Sequence, residues 1–218
     1  MTRSATSTPY ALVSPFPAFD TDAPTHQVSA NPPLLSISFT LGKNRPKDSR
    51  ENILSTKQFT VNIISEPFIE AANASAVEAP AHIDEWLVSG LTPEPSVSIA
   101  VPRVQESAVS FECELFKHID IAAPESDEPT TTLILGLIKR VHVCKAVLRD
   151  DGRTVDPGKL RPVARLDGGL YSRMGEAFEL PRPSWRAWKD KIEEMHRSHP
   201  PYPSLQAIKF RLQKQDDH

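Results

Sequence analysis

The chain has 218 residues with a formal net charge of −3, and 39% of its residues are hydrophobic. This length suits one sizeable domain with extensions or two small domains, and the slightly acidic balance without a basic run predicts no nucleic-acid partner. No apolar stretch approaches a membrane span and the N-terminus lacks a signal-peptide pattern, so we expect a soluble cytoplasmic protein with no membrane partner.

The first third of the chain is predicted to contain an irregular arm, two strands and a helix. Residues 1–30 are rich in Ser, Thr, Pro and Ala without a sustained period, which predicts an irregular N-terminal arm. Residues 34–40 alternate apolar and polar side chains, as a half-buried strand does. A helix is predicted over residues 48–56, followed by a second strand over residues 58–64.

The middle of the chain is predicted to contain two short helices and two long strands. The helices are expected over residues 67–74 and 82–89, and the strands over residues 109–121 and 130–144. The second long strand is apolar on both faces through residues 133–138. Such a strand must be covered by a barrel core on one side and by a helix or a second subunit on the other.

The last third begins with turns and ends in helices. Residues 150–152 read Asp-Asp-Gly and predict a turn, a short helical turn leads to Leu160, and residues 165–171 form a glycine-bearing loop. From residue 185 apolar residues recur at helical spacing, and a second such stripe follows Pro203. These patterns predict a C-terminal helical extension over residues 185–218.

The segment KDSREN at residues 47–52 opens the first predicted helix. Asp48 and Glu51 stand three residues apart, which fits a capping box with Asp48 as N-cap. A helix start presents N–H donors and partial positive charge, to which Lys47 adds a full charge and Ser49 a hydroxyl, so an anion such as phosphate is a natural ligand. An ordinary capped surface helix without a ligand is the alternative.

The cysteines and histidines predict neither a disulfide nor a metal site. Cys113 and Cys144 fall inside strand-like runs and are expected to be buried free thiols. The seven histidines are scattered, and none pairs with cysteine or a carboxylate at a ligand spacing. His142 alternates with Val141 and Val143 on a strand, where it lies either at a site or on a solvated strand face.

Familiar catalytic motifs do not occur in the sequence. There is no G-x-S-x-G, P-loop or G-x-G-x-x-G motif, and neither cysteine has a histidine nearby in the sequence. No catalytic residue is therefore assigned. An enzyme without such machinery relies on a cofactor for its chemistry, and the protein binds and orients that cofactor.

Six segments follow one another in a characteristic order. They are NPPLLSISF (31–39), KDSRENILSTKQFTVNIIS (47–65), EAANAS (70–75), DEWLVSGLTPEPS (84–96), SFECEL (110–115) and LRPVARLDGGLY (160–171). In this order they resemble the flavin reductase-like domain family, the FMN-binding split barrel, and in particular its fungal flavoprotein branch. The resemblance covers about residues 28–184.

The resemblance implies a mainly β fold with peripheral helices, a six-stranded Greek-key split barrel over residues 31–184. Such barrels dimerise and hold FMN near the subunit interface. The resemblance also implies that the start of the first helix lies against the flavin phosphate, that the strand of residues 34–40 runs beside the isoalloxazine, and that the later glycine loop closes the site. The implied FMN contacts are Ser36, Ser38, Lys47, Asp48, Ser49, Asn52 and Tyr171.

The N-terminal part departs from the family pattern. Family members place two strands and an Asn-Leu-Ala-Pro-x-Ser loop before the NPPLL strand. Residues 10–14 resemble a remnant of the first strand, whereas residues 15–27 contain no equivalent of the second strand or its loop. The departure predicts a missing barrel strand and a weakened cofactor site.

The resemblance implies an FMN-dependent oxidoreductase in which hydride passes from NAD(P)H to flavin N5 and electrons pass on to an acceptor. The departure at the N-terminus leaves a non-catalytic split-barrel remnant with weak or no FMN binding as the alternative. A barrel that binds a haem or another flavin in the same cleft is a third option.

Overall fold

The structure, a computed structural model, describes residues 10–13, 25–42, 47–77, 79–80, 83–166, 168–176, 178 and 180–198, with the side chains of residues 10–13 and 25–27 excepted. The chain divides into two units, Met1–Ala177 and Phe178–His218. The first unit contains every strand that the structure describes, and the second contains one described helix. The predicted boundaries at residues 31 and 185 remain predictions.

The first unit is built mainly from strands. The strands are β1 (Tyr10–Val13), β2 (Thr25–Ala30), β3 (Pro33–Thr40), β4 (Gln58–Ile63), β5 (Pro93–Glu94), β6 (Arg103–Val104), β7 (Val109–Ala122), β8 (Pro129–Val143), β9 (Val163–Arg165) and β10 (Tyr171–Arg173). The helices are α1 (Asp48–Thr56), α2 (Ile69–Ala74), α3 (Glu85–Ser89) and α4 (Pro157–Leu160), and α5 (Trp185–Ser198) belongs to the second unit. Short 3₁₀ helices cover Glu66–Phe68 and Lys145–Val147.

Six strands form one sheet in the order β1-β4-β7-β8-β3-β2. The β1–β4 pair is parallel, and the other pairs are antiparallel. Strands β9 and β10 form a separate hairpin, and β5 pairs with β6. The mainly β split-barrel prediction is therefore confirmed, as are the strands predicted over residues 34–40, 58–64, 109–121 and 130–144.

The core lies against one face of the sheet. Alternate residues of β3 pack there with residues of β4, β7, β8 and α1, and the fully or almost fully buried members are Leu35, Ile37, Phe39, Ile53, Phe59, Val61, Cys113 and Ile134. Gly136 of β8 lies under the ring of Phe59, where an added Cβ would come within 2.3 Å of the ring. The close approach of β8 to that ring therefore requires glycine at this position.

The predicted irregular N-terminal arm is wrong in two places. Strand β1 pairs with β4, so the remnant of a first strand is a paired strand. Strand β2 pairs with β3 through a bulge between Gln27 and Ser29, so the last six residues of the predicted arm form a strand. The absence of the second family strand stays a prediction for residues 15–24. Strand β2 has no strict alternation because it lies at the edge of the sheet and is held by backbone pairing. Residues 14–24, which include the position of the family loop, lie outside the described residues.

Three smaller predictions also need correction or confirmation. The helix predicted over residues 82–89 begins at Glu85, because Asp84 caps it by accepting the Trp86 N–H at 3.0 Å. Both thiols are free, but only Cys113 is buried; Cys144 is exposed because it follows the last residue of β8. Helix α5 confirms the predicted helix after residue 185, whereas the stripe after Pro203 lies outside the described residues.

Candidate functional site

Ser36 and Ser38 lie on the face of β3 opposite the core. Ser36 is buried and Ser38 is half-buried. Directly opposite residues of antiparallel strands share a face, and the register places Ser36 beside Leu135 and Ser38 beside Leu133 of β8. The serine hydroxyls are thus set among apolar side chains.

Strand β7 extends this surface by one further row. Ile119 stands opposite Leu133, and Ile121 stands opposite Thr131. Both isoleucines are exposed, at 40% and 44% respectively. We call the surface formed by Ser36, Ser38, Ile119, Ile121, Leu133 and Leu135 the outer face. It combines two hydroxyl groups with an apolar wall, a combination that can hold the polar edge and the flat surface of an aromatic heterocycle.

The start of α1 lies one residue earlier in the chain than the predicted capping box requires. Lys47 occupies the N-cap position with φ −71° and ψ 120°, and its side chain makes no capping hydrogen bond, while Asp48 is already helical. The prediction that Asp48 is the N-cap is therefore wrong. The first hydrogen bond of the helix runs from the Glu51 N–H to the Lys47 carbonyl at 3.2 Å. The N–H groups of Asp48, Ser49 and Arg50 precede it, as expected for an anion-binding helix start.

Asn52 follows on the second turn of α1. It stands three residues after Ser49 and four after Asp48, so the three residues share one side of the helix. Asn52 is half-buried, and its carbonyl accepts hydrogen bonds from the hydroxyls of Ser55 and Thr56. The predicted grouping of residues 47–52 on one helix start agrees with this geometry.

Arg50 connects α1 to the long strands, and the sequence did not identify it. Its Nε donates to Thr132 Oγ1 at 2.7 Å, and its NH2 group donates to Asp120 Oδ1 at 3.3 Å. The Thr132 hydroxyl donates to the same Asp120 oxygen at 2.5 Å. These hydrogen bonds, first that of Thr132 and then that of Arg50, hold the pKa of Asp120 below its usual value. No local signal could reveal this contact, because Asp120 and Thr132 lie far from Arg50 in the sequence.

The Arg50 contact brings two predicted parts of the site together. Thr132 is directly opposite Phe39 on β3, next to Ser38 in the sequence. The first turn of α1 is therefore held at the end of β3, on the face that carries Phe39. Ser38 lies next to Phe39 in the sequence but faces the opposite side of the sheet, so the two predicted parts of the site are linked through Thr132 and Phe39.

Tyr171 contacts a different element. Its hydroxyl donates to Asn73 Oδ1 of α2 at 2.8 Å, and the Arg165 guanidinium carbon lies 6.0 Å from the centre of its ring. The β9–β10 hairpin that carries it is pinned by Glu66, which accepts from Arg161 and from Arg173. The hydrogen bond from Arg173, followed by that from Arg161, holds the pKa of Glu66 below its usual value.

A buried carboxylate was also missed by the sequence analysis. Glu112 of β7 is fully buried and accepts the N–H groups of Val97 and Ser98 at 2.8 and 2.6 Å. His142 Nε2 lies 2.5 Å from the same carboxylate, so His142 contacts a buried acid instead of lying only on a solvated face. Burial raises the pKa of Glu112, but the hydrogen bonds from Val97, His142 and Ser98 outweigh it, and the net pKa is lowered. The Glu112 carboxylate thereby binds Val97 and Ser98, in the loop between β5 and β6, to strand β7 of the sheet.

The comparisons agree with this architecture. The family model "Flavin reductase like domain" matches residues 24–159. The chain is 34% identical over 159 residues to the uncharacterized protein YwrF of Bacillus subtilis, covering 72% of this chain and 76% of that protein. The residues that the family model matches include β3, which carries Ser36 and Ser38, and the start of α1, and they end before Tyr171.

Solved structures show the same similarity. Nitrilotriacetate monooxygenase component B from Bacillus cereus has a TM-score of 0.66 and 35% identity, covering 72% of this chain and 76% of that chain. A split barrel protein of Shewanella frigidimarina, proposed to be a flavin reductase, has a TM-score of 0.63 and 25% identity, covering 73% of this chain and 75% of that chain.

Proposed function

Because the chain belongs to the flavin reductase like domain family, we propose that it is an FMN-binding oxidoreductase that uses NADH or NADPH as reductant. The observation that carries this proposal is the position of the two predicted flavin-binding segments. Strand β3 and the start of α1 both lie within the family match, and Arg50 ties α1 to Thr132, which is paired with Phe39 next to Ser38. Bound FMN supplies the redox chemistry, taking hydride from the nicotinamide at N5 and passing electrons to an acceptor.

The start of α1 would hold the phosphate of FMN. Lys47 supplies a positive charge, the Ser49 hydroxyl and the N–H groups of Asp48 and Ser49 supply donors, and the helix dipole favours an anion at this end. Asn52 adds an amide on the same side of the helix. Lys47 and the donors of the helix start favour an anionic group, while the first turn also carries the carboxylates of Asp48 and Glu51, of which Glu51 is paired with Arg50. The donors therefore support FMN over a ligand without an anionic group.

The outer face would hold the isoalloxazine ring. The hydroxyls of Ser36 and Ser38 can donate to or accept from the polar edge of the ring, and Leu133 and Leu135 provide apolar contact. We propose that Tyr171 contacts FMN from the β9–β10 hairpin, whose position the contacts of Tyr171 with Asn73 and of Glu66 with Arg173 stabilise. None of these residues is assigned as a protein acid or base.

A homodimer is part of the proposal. Ile119 and Ile121 are exposed on the outer face, next to half-buried leucines. Covering such a surface with a second copy of the chain would remove apolar area from water, at about 25 cal/mol per Å². Strand β8 contributes to this surface and is apolar on both faces, and the sequence predicted that it needs a barrel core on one side and a helix or a second subunit on the other.

We propose that the protein acts in the cytoplasm. Cys113 and Cys144 are both free thiols, which suits a reducing compartment. None of the helices that the structure describes is long and apolar enough to cross a membrane.

The visible spectrum of the purified protein tests this function. A yellow protein that bleaches on anaerobic addition of NADH or NADPH is the expected result. A colourless protein that also fails to bind added FMN contradicts the proposal and favours the non-catalytic remnant. A yellow protein that neither nicotinamide bleaches would retain FMN binding and contradict the proposed reductant.

A further inference from the structure

Each of the three nitrogens of the Arg50 side chain contacts an acceptor in the protein. Its Nε binds Thr132, one terminal nitrogen binds Asp120, and the other contacts Glu51. Only 15% of the side chain is exposed. Each nitrogen that could reach a ligand therefore already has an acceptor, and Arg50 is suited to fixing a position in the protein.

The two elements that Arg50 connects carry different parts of the proposed flavin site. Arg50 belongs to the first turn of α1, where the phosphate donors lie. Thr132 is paired with Phe39, and the neighbouring pair on the two strands joins Ser38 to Leu133 on the outer face. The contacts of Arg50 with Thr132 and Asp120 fix the first turn of α1 to this end of the sheet, in addition to the packing of Ile53 on the second turn in the core.

We propose that Arg50 is a positioning residue of the flavin site, which sets the distance between the phosphate donors of α1 and the strand that carries Ser36 and Ser38 by binding Thr132 and Asp120. This inference rests on the proposed FMN-binding function. A ligand that reaches both ends of the site, such as FMN, requires the correct distance. Riboflavin lacks the phosphate and reaches only the ring end.

The test compares FMN with riboflavin. Dissociation constants of both are measured for the full chain and for the variants Arg50→Leu, Thr132→Val and Arg50→Leu/Thr132→Val. The expected result is about tenfold weaker FMN binding in each single variant, the scale of one charge-assisted hydrogen bond, with riboflavin binding changed by less than about twofold. The loss in the double variant should be smaller than the sum of the two single losses, because both changes break the Arg50–Thr132 contact, although Thr132→Val also removes the hydrogen bond from Thr132 to Asp120.

Arg153→Leu is the matched control, since Arg153 is an exposed arginine in the turn before α4. It should change neither dissociation constant. Thr132→Val keeps the shape and the charge of the site, so it decides the question if Arg50→Leu fails to fold. Two results would overturn the inference alone if the wild-type protein binds FMN. One is a ratio of FMN to riboflavin affinity that is the same in the Arg50 and Thr132 variants as in the wild type, and the other is additive losses in the double variant. A wild-type protein that binds neither flavin would overturn both the inference and the proposed function.

Discussion

Replacing Lys47 and Ser49 together by alanine should weaken the binding of FMN without changing the fold. Both residues lie at the start of α1, Lys47 at the N-cap and Ser49 in the first turn. The double variant loses two phosphate contacts, one of which is charge-assisted. Together these are worth about 2–4 kcal/mol, which corresponds to roughly 30-fold to 700-fold in the dissociation constant.

Quenching of flavin fluorescence during titration measures this loss. The matched control is Ser55→Ala/Lys57→Ala, which changes the same residue types at the other end of the same helix, roughly 13 Å away at 1.5 Å per residue. The control should bind FMN as the wild type does, because that end of the helix repels anions. An unchanged FMN affinity in Lys47→Ala/Ser49→Ala, or an equal loss for riboflavin, would refute the phosphate assignment.

Further predictions concern packing, assembly and pH. Gly136→Ala should lower the free energy of unfolding in urea by about 1–3 kcal/mol, because its Cβ would come within 2.3 Å of the Phe59 ring. Gly169→Ala, whose Cβ would have no atom within 4 Å, should lower it far less. Equal losses in the two variants would contradict this. Ile119→Asp should convert the proposed dimer to a monomer in analytical ultracentrifugation, because it puts a charge on the outer face. Leu87→Asp on α3, where the leucine is 84% exposed, should leave the dimer intact. A wild-type protein that sediments as a monomer would contradict the proposed dimer. Folding lowers the pKa of Glu112, so its contribution to stability is fully present above the unfolded pKa of about 4.5 and is lost as the pH falls through the lower pKa of the folded state. Glu112→Gln should therefore make the free energy of unfolding depend less on pH in acid. The same pH dependence in the variant and the wild type would contradict this.

The central strands could be predicted from the sequence because their side chains alternate. Residues of β3 such as Leu35 and Ile37 recur at period two, and each occupies the core. Strand β2 could not be predicted in this way. Its residues do not alternate, and its existence depends on pairing with β3, including the register shift after Gln27. Whether an edge segment of this kind forms a strand depends on its pairing with the neighbouring strand and not on its own side-chain pattern.

The candidate site was predictable only where its signals are local. The run at residues 47–52 has the composition of a helix start, and a helix does begin there. The predicted N-cap was wrong by one residue, because whether Asp48 or Ser49 is the first residue with helical angles depends on the chain that enters the helix. No local sequence pattern identifies Arg50 as part of the site, since its partners Asp120 and Thr132 become neighbours only once β7 and β8 pair.

The two cysteines differ in a way that makes the protein convenient to label. Cys113 is fully buried, and burial, aided by the charge of Glu112, raises the pKa of its thiol and so disfavours the nucleophilic thiolate. Cys144 is exposed just beyond the end of β8. A maleimide dye or spin label should therefore attach to the native protein at one position, without any engineered cysteine. A probe there would give a distance marker for the arrangement of two copies of the chain in solution.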